Sequence, residues 1–372
     1  MSESIYRSTP ADVKALVKAQ LQLLWEQPER SHQVAPFMLW GAPGVGKSTV
    51  VRELCQELNI GFIDIRLSQR EPVDLRGLPV PKGDHVDWLL AGEWPRDPDS
   101  RGIILFDELS AADRTLQAAA YEIILDRRLG DLYRLPNGWL VMGAGNRMGD
   151  RAVSYSFSSA LANRFCHLEM VADVEQWCDW ARQQGLHSDV IGFLKFAPEH
   201  FFNMSGNTER GWPSPRSWER VAHVLAQAQR LKLSEQQQRI MVSGLIGNAA
   251  AVPLFGFLQV SAELPNIASM LDGHEPVVIP ERNDAKYALC AGVIYHLWRD
   301  KAQVKQRLNV FFELSLRLSS DFATMLMLDA IRREDSLDEQ RAGKLFAHPQ
   351  YNAWTKLHGQ QFAQALQVGA VA

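Results

Sequence analysis

The sequence predicts an α/β protein: a parallel sheet with helices on both faces, followed by a wholly helical second half. Three observations carry that expectation. Short apolar runs bounded by turn residues alternate with helical patterns through the first 171 residues. A glycine-rich G-x-x-x-x-G-K-S segment joins the first apolar run to a helical stretch. Beyond about Val171 the strand signals fade and helical spacing takes over.

The elements follow in order. Thr9-Pro10 reads as an N-cap with proline at the first helical position. Val13, Leu16, Val17, Leu21 and Leu24 then recur at helical spacing, so an amphipathic helix runs to about Glu26. The run Pro36-Phe37-Met38-Leu39-Trp40, closed by Gly41, reads as a buried strand. A helix is expected over 47–59. Further strands are expected over 62–67, 103–106, 139–144 and 165–171. An insertion rich in Pro, Gly and Asp spans 71–101. Inside it, Leu78-Pro79-Val80 and Val86-Asp87-Trp88-Leu89 flank the turn signal Lys82-Gly83-Asp84 and predict a hairpin. A second hairpin is expected over 128–139, punctuated by Pro136-Asn137-Gly138. Helices are expected over 173–184, 189–202 and 215–230. Residues 265–283 read as a proline-rich linker, and 284–367 as wholly helical.

Composition bounds the function. The chain has 372 residues, 46% hydrophobic and 22% charged, which is ordinary for a globular protein. Its net charge of −4 and the lack of any Lys/Arg run give no basic field for nucleic acid. Four scattered cysteines lack metal-ligand spacing and read as reduced thiols of a cytosolic protein. The first 15 residues have no apolar h-region, so no signal peptide is expected. The apolar stretch 241–260 is interrupted by Ser243, Asn248, Pro253 and Gly256, and reads as a buried helical segment rather than a membrane span.

Chemistry concentrates at strand ends. Gly41-Ala42-Pro43-Gly44-Val45-Gly46-Lys47-Ser48 matches the phosphate-binding loop in full. Its glycines let backbone N–H groups turn inward around phosphates, and the helix that follows points its positive end at the same anion. Lys47 is expected on the β/γ-phosphates and Ser48 on Mg²⁺, with Thr49 extending the nucleotide-binding stretch. The ligand is therefore expected to be ATP with magnesium. Ile103-Ile104-Leu105-Phe106-Asp107-Glu108 is an apolar strand ending in two carboxylates, at the end that lines the ligand crevice of a parallel sheet. Asp107 suits the magnesium shell, and Glu108 suits a base that polarises the attacking water. Asn146, after Val141-Met142-Gly143-Ala144-Gly145, is a candidate to orient that water. Arg164, just before the fifth strand, is a candidate arginine finger on a neighbouring subunit's nucleotide, with Arg147 as rival. Ser214-Pro215-Arg216 opens a helix, and a cation in a first turn points to a nearby anion.

In this order of elements the sequence resembles the AAA+ ATPases, and within them the MoxR family and its YehL-like branch. The resemblance covers roughly residues 37–258. It equates 41–48 with Walker A, 103–108 with Walker B, Asn146 with sensor 1, Arg164 with the finger and Arg216 with sensor 2. Glu71-Pro72-Val73-Asp74-Leu75-Arg76-Gly77 is similar to the family's entry into its helix-2 insert, and 116–128 to the helix after Walker B. Two departures stand out. Leu109-Ser110 follow Glu108 where the family usually has asparagine, and Asn163-Arg164-Phe165 replaces the usual Asp-Arg-Phe. The resemblance implies an α/β core over 1–172, an all-α lid over 173–264 and a helical extension over 265–372. It also implies a hexameric, chaperone-like ring that remodels a partner's target together with a von Willebrand factor A domain protein.

Two other classes compete. A DNA-handling AAA+ motor, of restriction or helicase type, is disfavoured by the charge of −4. A small-molecule kinase on the same loop would need no arginine acting between subunits.

Overall fold

The computed structural model describes residues 7–147, 150, 157, 159–204, 210–228, 230–333 and 336–371. Residues 1–6, part of the stretch read for a leader, lie outside them. The chain divides into two compact units, residues 1–172 and 173–372.

The first unit runs β1 (Arg7–Ser8), α1 (Pro10–Glu26), β2 (Phe37–Trp40), α2 (Lys47–Leu58), β3 (Gly61–Arg66), α3 (Pro72–Arg76), β4 (Leu78–Lys82) and β5 (His85–Leu89). It continues through β6 (Gly102–Asp107), α4 (Arg114–Asp126), β7 (Arg128–Leu129), β8 (Tyr133–Arg134), β9 (Trp139–Gly145), α5 (Ser159–Ala162) and β10 (Cys166–Met170). Six strands form one parallel sheet in the order β1-β10-β2-β9-β6-β3. The short edge strand β1 has no counterpart in the sequence reading.

Alternation along the strands builds a core on each face. Phe37, Leu39, Ile103, Leu105, Leu140 and Met142 pack with Val13, Val17, Leu21 and Leu24 of α1 and with Val50, Val51 and Leu54 of α2. Met38, Ile104, Phe106 and Val141 point the other way, onto Leu116, Ala120, Ile123 and Ile124 of α4. The two-sided burial is what a parallel sheet requires. Thr9 caps α1 in a reciprocal capping box with Asp12. Leu16, grouped by spacing with the buried residues of α1, is 42% exposed: the apolar stripe is narrower than the spacing implied.

The hairpin β4–β5 forms as expected, antiparallel, with Leu78 opposite Leu89. In the 128–139 segment the reversal lies elsewhere than expected. Arg128–Leu129 pairs with Tyr133–Arg134, so the chain turns before Tyr133. Gly138 instead meets the sheet, where an added Cβ would lie 2.5 Å from the Ser100 carbonyl. Pro136-Asn137-Gly138 therefore introduces β9 and does not close the hairpin.

The second unit is built mainly of helices: α6 (Val174–Gln183), α7 (Ser188–Phe196), α8 (Pro215–Ala228), α9 (Glu235–Ile246), α10 (Asn248–Ala262), α11 (Ile267–Leu271), α12 (Asn283–Leu297), α13 (Val304–Arg317), α14 (Ser320–Ile331), α15 (Glu339–Phe346) and α16 (Tyr351–Val371). Three expectations need correction. The helix expected over 189–202 ends at Phe196, because Pro198 cannot continue it and starts a separate turn of 3-10 helix. The stretch 241–260 is two helices joined at Gly247, whose φ of 75° favours glycine, and its Val252 is 67% exposed. Among the described residues no helix is long and apolar enough to cross a membrane. The supposed linker 265–283 carries α11, whose Met270 and Leu271 are fully buried in the core of α12, α13 and α14. Arg307 pins it further, donating from Nε to Asp272 Oδ1 at 2.6 Å and from Nη2 to Oδ2 at 3.1 Å.

A buried ion network ties α6 and α7 to α14. Asp329 accepts from Lys195 Nζ at 2.8 and 2.5 Å and faces Arg182 Nη1 at 2.9 Å; Asp179 faces Arg182 and, at 3.1 Å, Arg332. Burial alone would push Asp329's pKa up, but Arg182, Lys195 and Arg332 outweigh it and hold the carboxyl below its ordinary value. Its stabilising contribution is thus present above the unfolded pKa and is lost as pH falls through the folded one. Asp329→Asn is expected to destabilise this unit by about 3–5 kcal/mol, since it leaves buried cations short of a partner. Urea unfolding at neutral pH measures it, and a loss under 1 kcal/mol would refute this account of the network. All four cysteines are free, and burial pushes the thiols of Cys55, Cys178 and Cys290 up to about 12.

Candidate functional site

The sheet order decides what meets at its carboxyl edge. β9 lies between β2 and β6. The loop after β2, the acid pair ending β6 and the asparagine after β9 therefore share one edge. The loop itself turns through Gly44 at φ 80° and Gly46 at φ 103°, conformations that L side chains rarely adopt. At Gly41 an added Cβ would stand 2.7 Å from the Met170 carbonyl. Close packing against β10 thus requires glycine there. Ala42 and Val45 are buried, and α2 begins directly at Lys47.

Side-chain contacts join the three strand ends. Lys47, itself buried, donates from Nζ to the Gly41 carbonyl at 2.7 Å, the Ala42 carbonyl at 3.2 Å and Asn146 Oδ1 at 3.0 Å. Ser48 Oγ donates to Asp107 Oδ2 at 2.5 Å. The other Asp107 oxygen accepts the Glu108 backbone N–H at 2.9 Å. Glu108 follows at φ 57°, a strained conformation for a non-glycine residue that redirects its side chain at the strand end. Its Oε2 accepts from Ser68 Oγ. Asn146 is fixed through its backbone. The fully buried Ser110 accepts the Asn146 N–H at 3.0 Å and donates to its carbonyl at 3.2 Å.

Three polar residues at this edge were not singled out from the sequence. Ser68 follows β3, and Ser110 belongs to the Leu109-Ser110 pair already noted as a departure from the family the sequence resembles, its part at this edge unread. Asp64 lies within β3, on the α2 face, where Arg52 Nη2 reaches its Oδ2 at 3.5 Å. Its other oxygen is buried without a partner among the described residues. Burial foremost, then the Asp107 carboxylate, pushes Asp64's pKa up against the pull of Arg66 and Arg52. A strand-end rule applied to every strand, and not only to the two after apolar runs, would have found Ser68.

The donor set fits a small hard cation: a hydroxyl and a carboxylate already in contact at the strand end. The Glu108 carboxylate makes no contact with that pair among the described residues; its Oε2 accepts from Ser68 Oγ.

The arginines fall in different places. Arg147 Nη2 meets Asp150 Oδ1 at 2.8 Å, and its Nη1 contacts Glu169. The hydrogen bond to Asp150 first, with Glu169 behind it, raises its pKa against burial. Arg164 is exposed, with its guanidinium 5.8 Å from the Tyr121 ring centroid. It precedes β10, whose Cys166 is level with Phe37 and whose Glu169 is level with Trp40. Arg164 thus lies at the opposite end of the sheet from the loop, separated by a five-residue strand, or about 15 Å. Arg216 is exposed in the first turn of α8, in the second unit. Ser214 Oγ caps that helix, accepting the Ser217 N–H at 3.3 Å, and Pro215 is its first residue, as the sequence led us to expect.

Residues 37–165, from β2 to the segment just before β10, match the ATPase family associated with various cellular activities (AAA). A comparison with curated proteins returns no match. Among solved structures, the chain is similar to the RuvB Holliday junction branch migration motor of Thermotoga maritima. Identity there is 17%, over 75% of this chain and 81% of that one, at a TM-score of 0.35. It is also similar to NtrX from Brucella abortus in complex with ADP, with 14% identity over 95% and 68% of the two chains and a TM-score of 0.33. A third is a putative ATPase from Cytophaga hutchinsonii, with 16% identity over 96% of each chain and a TM-score of 0.30. The first unit has the P-loop AAA+ fold.

Proposed function

We propose that this chain, with an AAA ATPase segment over 37–165, hydrolyses ATP in a ring of its own copies and uses the turnover to remodel a partner protein. The observation that carries the reading is the convergence of Lys47, Ser48, Asp107, Glu108 and Asn146 at one sheet edge, through the Lys47–Asn146 and Ser48–Asp107 bonds.

In this reading the backbone N–H groups of residues 41–49 surround the phosphates, and Lys47 pairs with the β- and γ-phosphates. Ser48 and Asp107 hold magnesium, which when bound neutralises charge on the phosphates. Glu108 accepts a proton from the attacking water, and Asn146, fixed by Ser110, orients that water. Arg216 adds a cation from the helical unit. Arg164 acts on the nucleotide of the next copy, which its separation from its own loop supports. The resemblance to the MoxR family extends the proposal to a hexamer working with a von Willebrand factor A domain protein. Residues 173–264 then serve as the lid and 265–372 as a helical extension packed with it. A cytoplasmic location goes with the same reading.

Lys47→Ala tests the core of it. Removing the ammonium takes away charge-assisted bonds to phosphate, so ATP affinity is expected to fall about 100-fold or more. Titration calorimetry reads this directly, and near-parental affinity would remove the loop from the function.

A further inference from the structure

His167, in β10, is a polar side chain that the mechanism above leaves unused, and both of its ring nitrogens are engaged. Trp40 Nε1 donates to its Nδ1 at 2.8 Å, and its Nε2 lies 2.8 Å from the Ala162 carbonyl. An indole N–H can only donate and a carbonyl can only accept, so the proton of the neutral ring sits on Nε2. The Trp40 and His167 rings also stack, 16° apart in plane and 6.1 Å apart at their centroids. The two bonded groups belong to different parts of the proposed machinery. Trp40 ends β2 and directly precedes Gly41 of the loop. Ala162 ends α5, and its carbonyl also accepts the Phe165 N–H at 3.3 Å. The Arg164 N–H donates to the Leu161 carbonyl at 3.2 Å, so Arg164 rides on this turn.

We propose that His167 is a positioning residue for Arg164: its Nε2–H, held on the Ala162 carbonyl, sets the turn from which that arginine reaches the next copy's nucleotide. The inference rests on the reading of Arg164 as a finger acting between copies. No carboxylate among the described residues pairs with Arg164, so the direction of its exposed side chain follows from the turn beneath it. A helix of four residues, such as α5, has too few internal bonds to sustain that turn by itself. A side-chain donor rooted in β10 adds one more bond to it. The other side of the ring is held by Trp40. Two hydrogen bonds thus run from the residue before the phosphate-binding loop to the turn that bears the finger. His167 acts through that turn and makes no contact with the reacting phosphate.

The test uses the full chain and two substitutions of similar polarity. In His167→Asn the amide oxygen stands where Nδ1 stood and keeps the Trp40 bond, but the side chain falls short of Ala162. In His167→Gln the amide nitrogen reaches the place of Nε2 and keeps the Ala162 bond, while the Trp40 bond is lost. His167→Asn is expected to bind ATP with parental affinity by calorimetry and to turn it over up to about 100-fold more slowly, as misplacement of a reacting group does. His167→Gln is expected to recover most of that loss. Mixtures, made once exchange of copies is shown, then locate the defect. His167→Asn should regain turnover with Glu108→Gln, which supplies an intact finger, and regain none with Arg164→Ala, which has no finger to give. Parental turnover in His167→Asn overturns the proposal, as does an equal loss in His167→Gln. So does recovery with Arg164→Ala, or failure with Glu108→Gln, since either puts the defect in the variant's own pocket or fold. The mixture of Arg164→Ala with Glu108→Gln runs alongside. Its failure removes the finger reading itself, whereas its success beside failing His167 mixtures removes this proposal alone.

Discussion

Glu108→Gln is expected to bind ATP as the parent does and to turn it over about 10²–10⁴-fold more slowly, the usual worth of a general base. The amide keeps the shape of the carboxylate but cannot take the proton that the attacking water gives up. Little else should change. Ser68 Oγ can donate to the amide oxygen as it does to the carboxylate, and the backbone at φ 57° is set by the turn after β6. Asp107 is a poor substitute base, with one oxygen on Ser48 and the other on the Glu108 N–H. Steady-state phosphate release, with calorimetric ATP affinity alongside, measures both halves of the expectation. Parental turnover in the variant would move the base away from this strand end.

The part of the site legible in the sequence was the part with a local signature. Residues 41–48 announce themselves because phosphate binding demands glycines, a lysine and a hydroxyl at set spacing. Asp107, Glu108 and Asn146 were legible because an apolar run followed by polar residues marks the carboxyl end of a buried strand. What spacing cannot supply is strand order. Asn146 meets Lys47 because β9 inserts between β2 and β6, a fact of topology. Ser68 and Ser110 matter for the same reason, and serines near strand ends look like any others. The helical unit shows the opposite difficulty. Residues 265–283 read as a linker because three prolines dominate the local pattern, whereas Met270 and Leu271 are buried by helices whose packing no local window reveals. The break at Pro198 was legible in principle and was overridden by apolar spacing on either side of it.

Arg164→Ala is expected to leave ATP binding intact and to lower turnover about 10³–10⁵-fold, the range over which arginine fingers act. The geometry supports a role between copies. Arg164 stands at the far end of β10 from the loop, about 15 Å away along the strand, and no carboxylate among the described residues pairs with it. Its rival Arg147 is committed to Asp150 and Glu169 within its own chain. A finger shared between copies makes a sharper prediction than loss of activity alone. An Arg164→Ala copy keeps its own Glu108 and can receive an intact arginine from a Glu108→Gln neighbour. Mixing the two inactive variants should therefore restore part of the turnover, reaching a maximum at intermediate ratios, whereas two variants failing in the same pocket would not complement. Subunit exchange is established first by pull-down with two different tags. With exchange shown and no activity recovered at any ratio, Arg164 is reduced to a role within its own chain. Arg147 must then leave its carboxylates to serve as the finger.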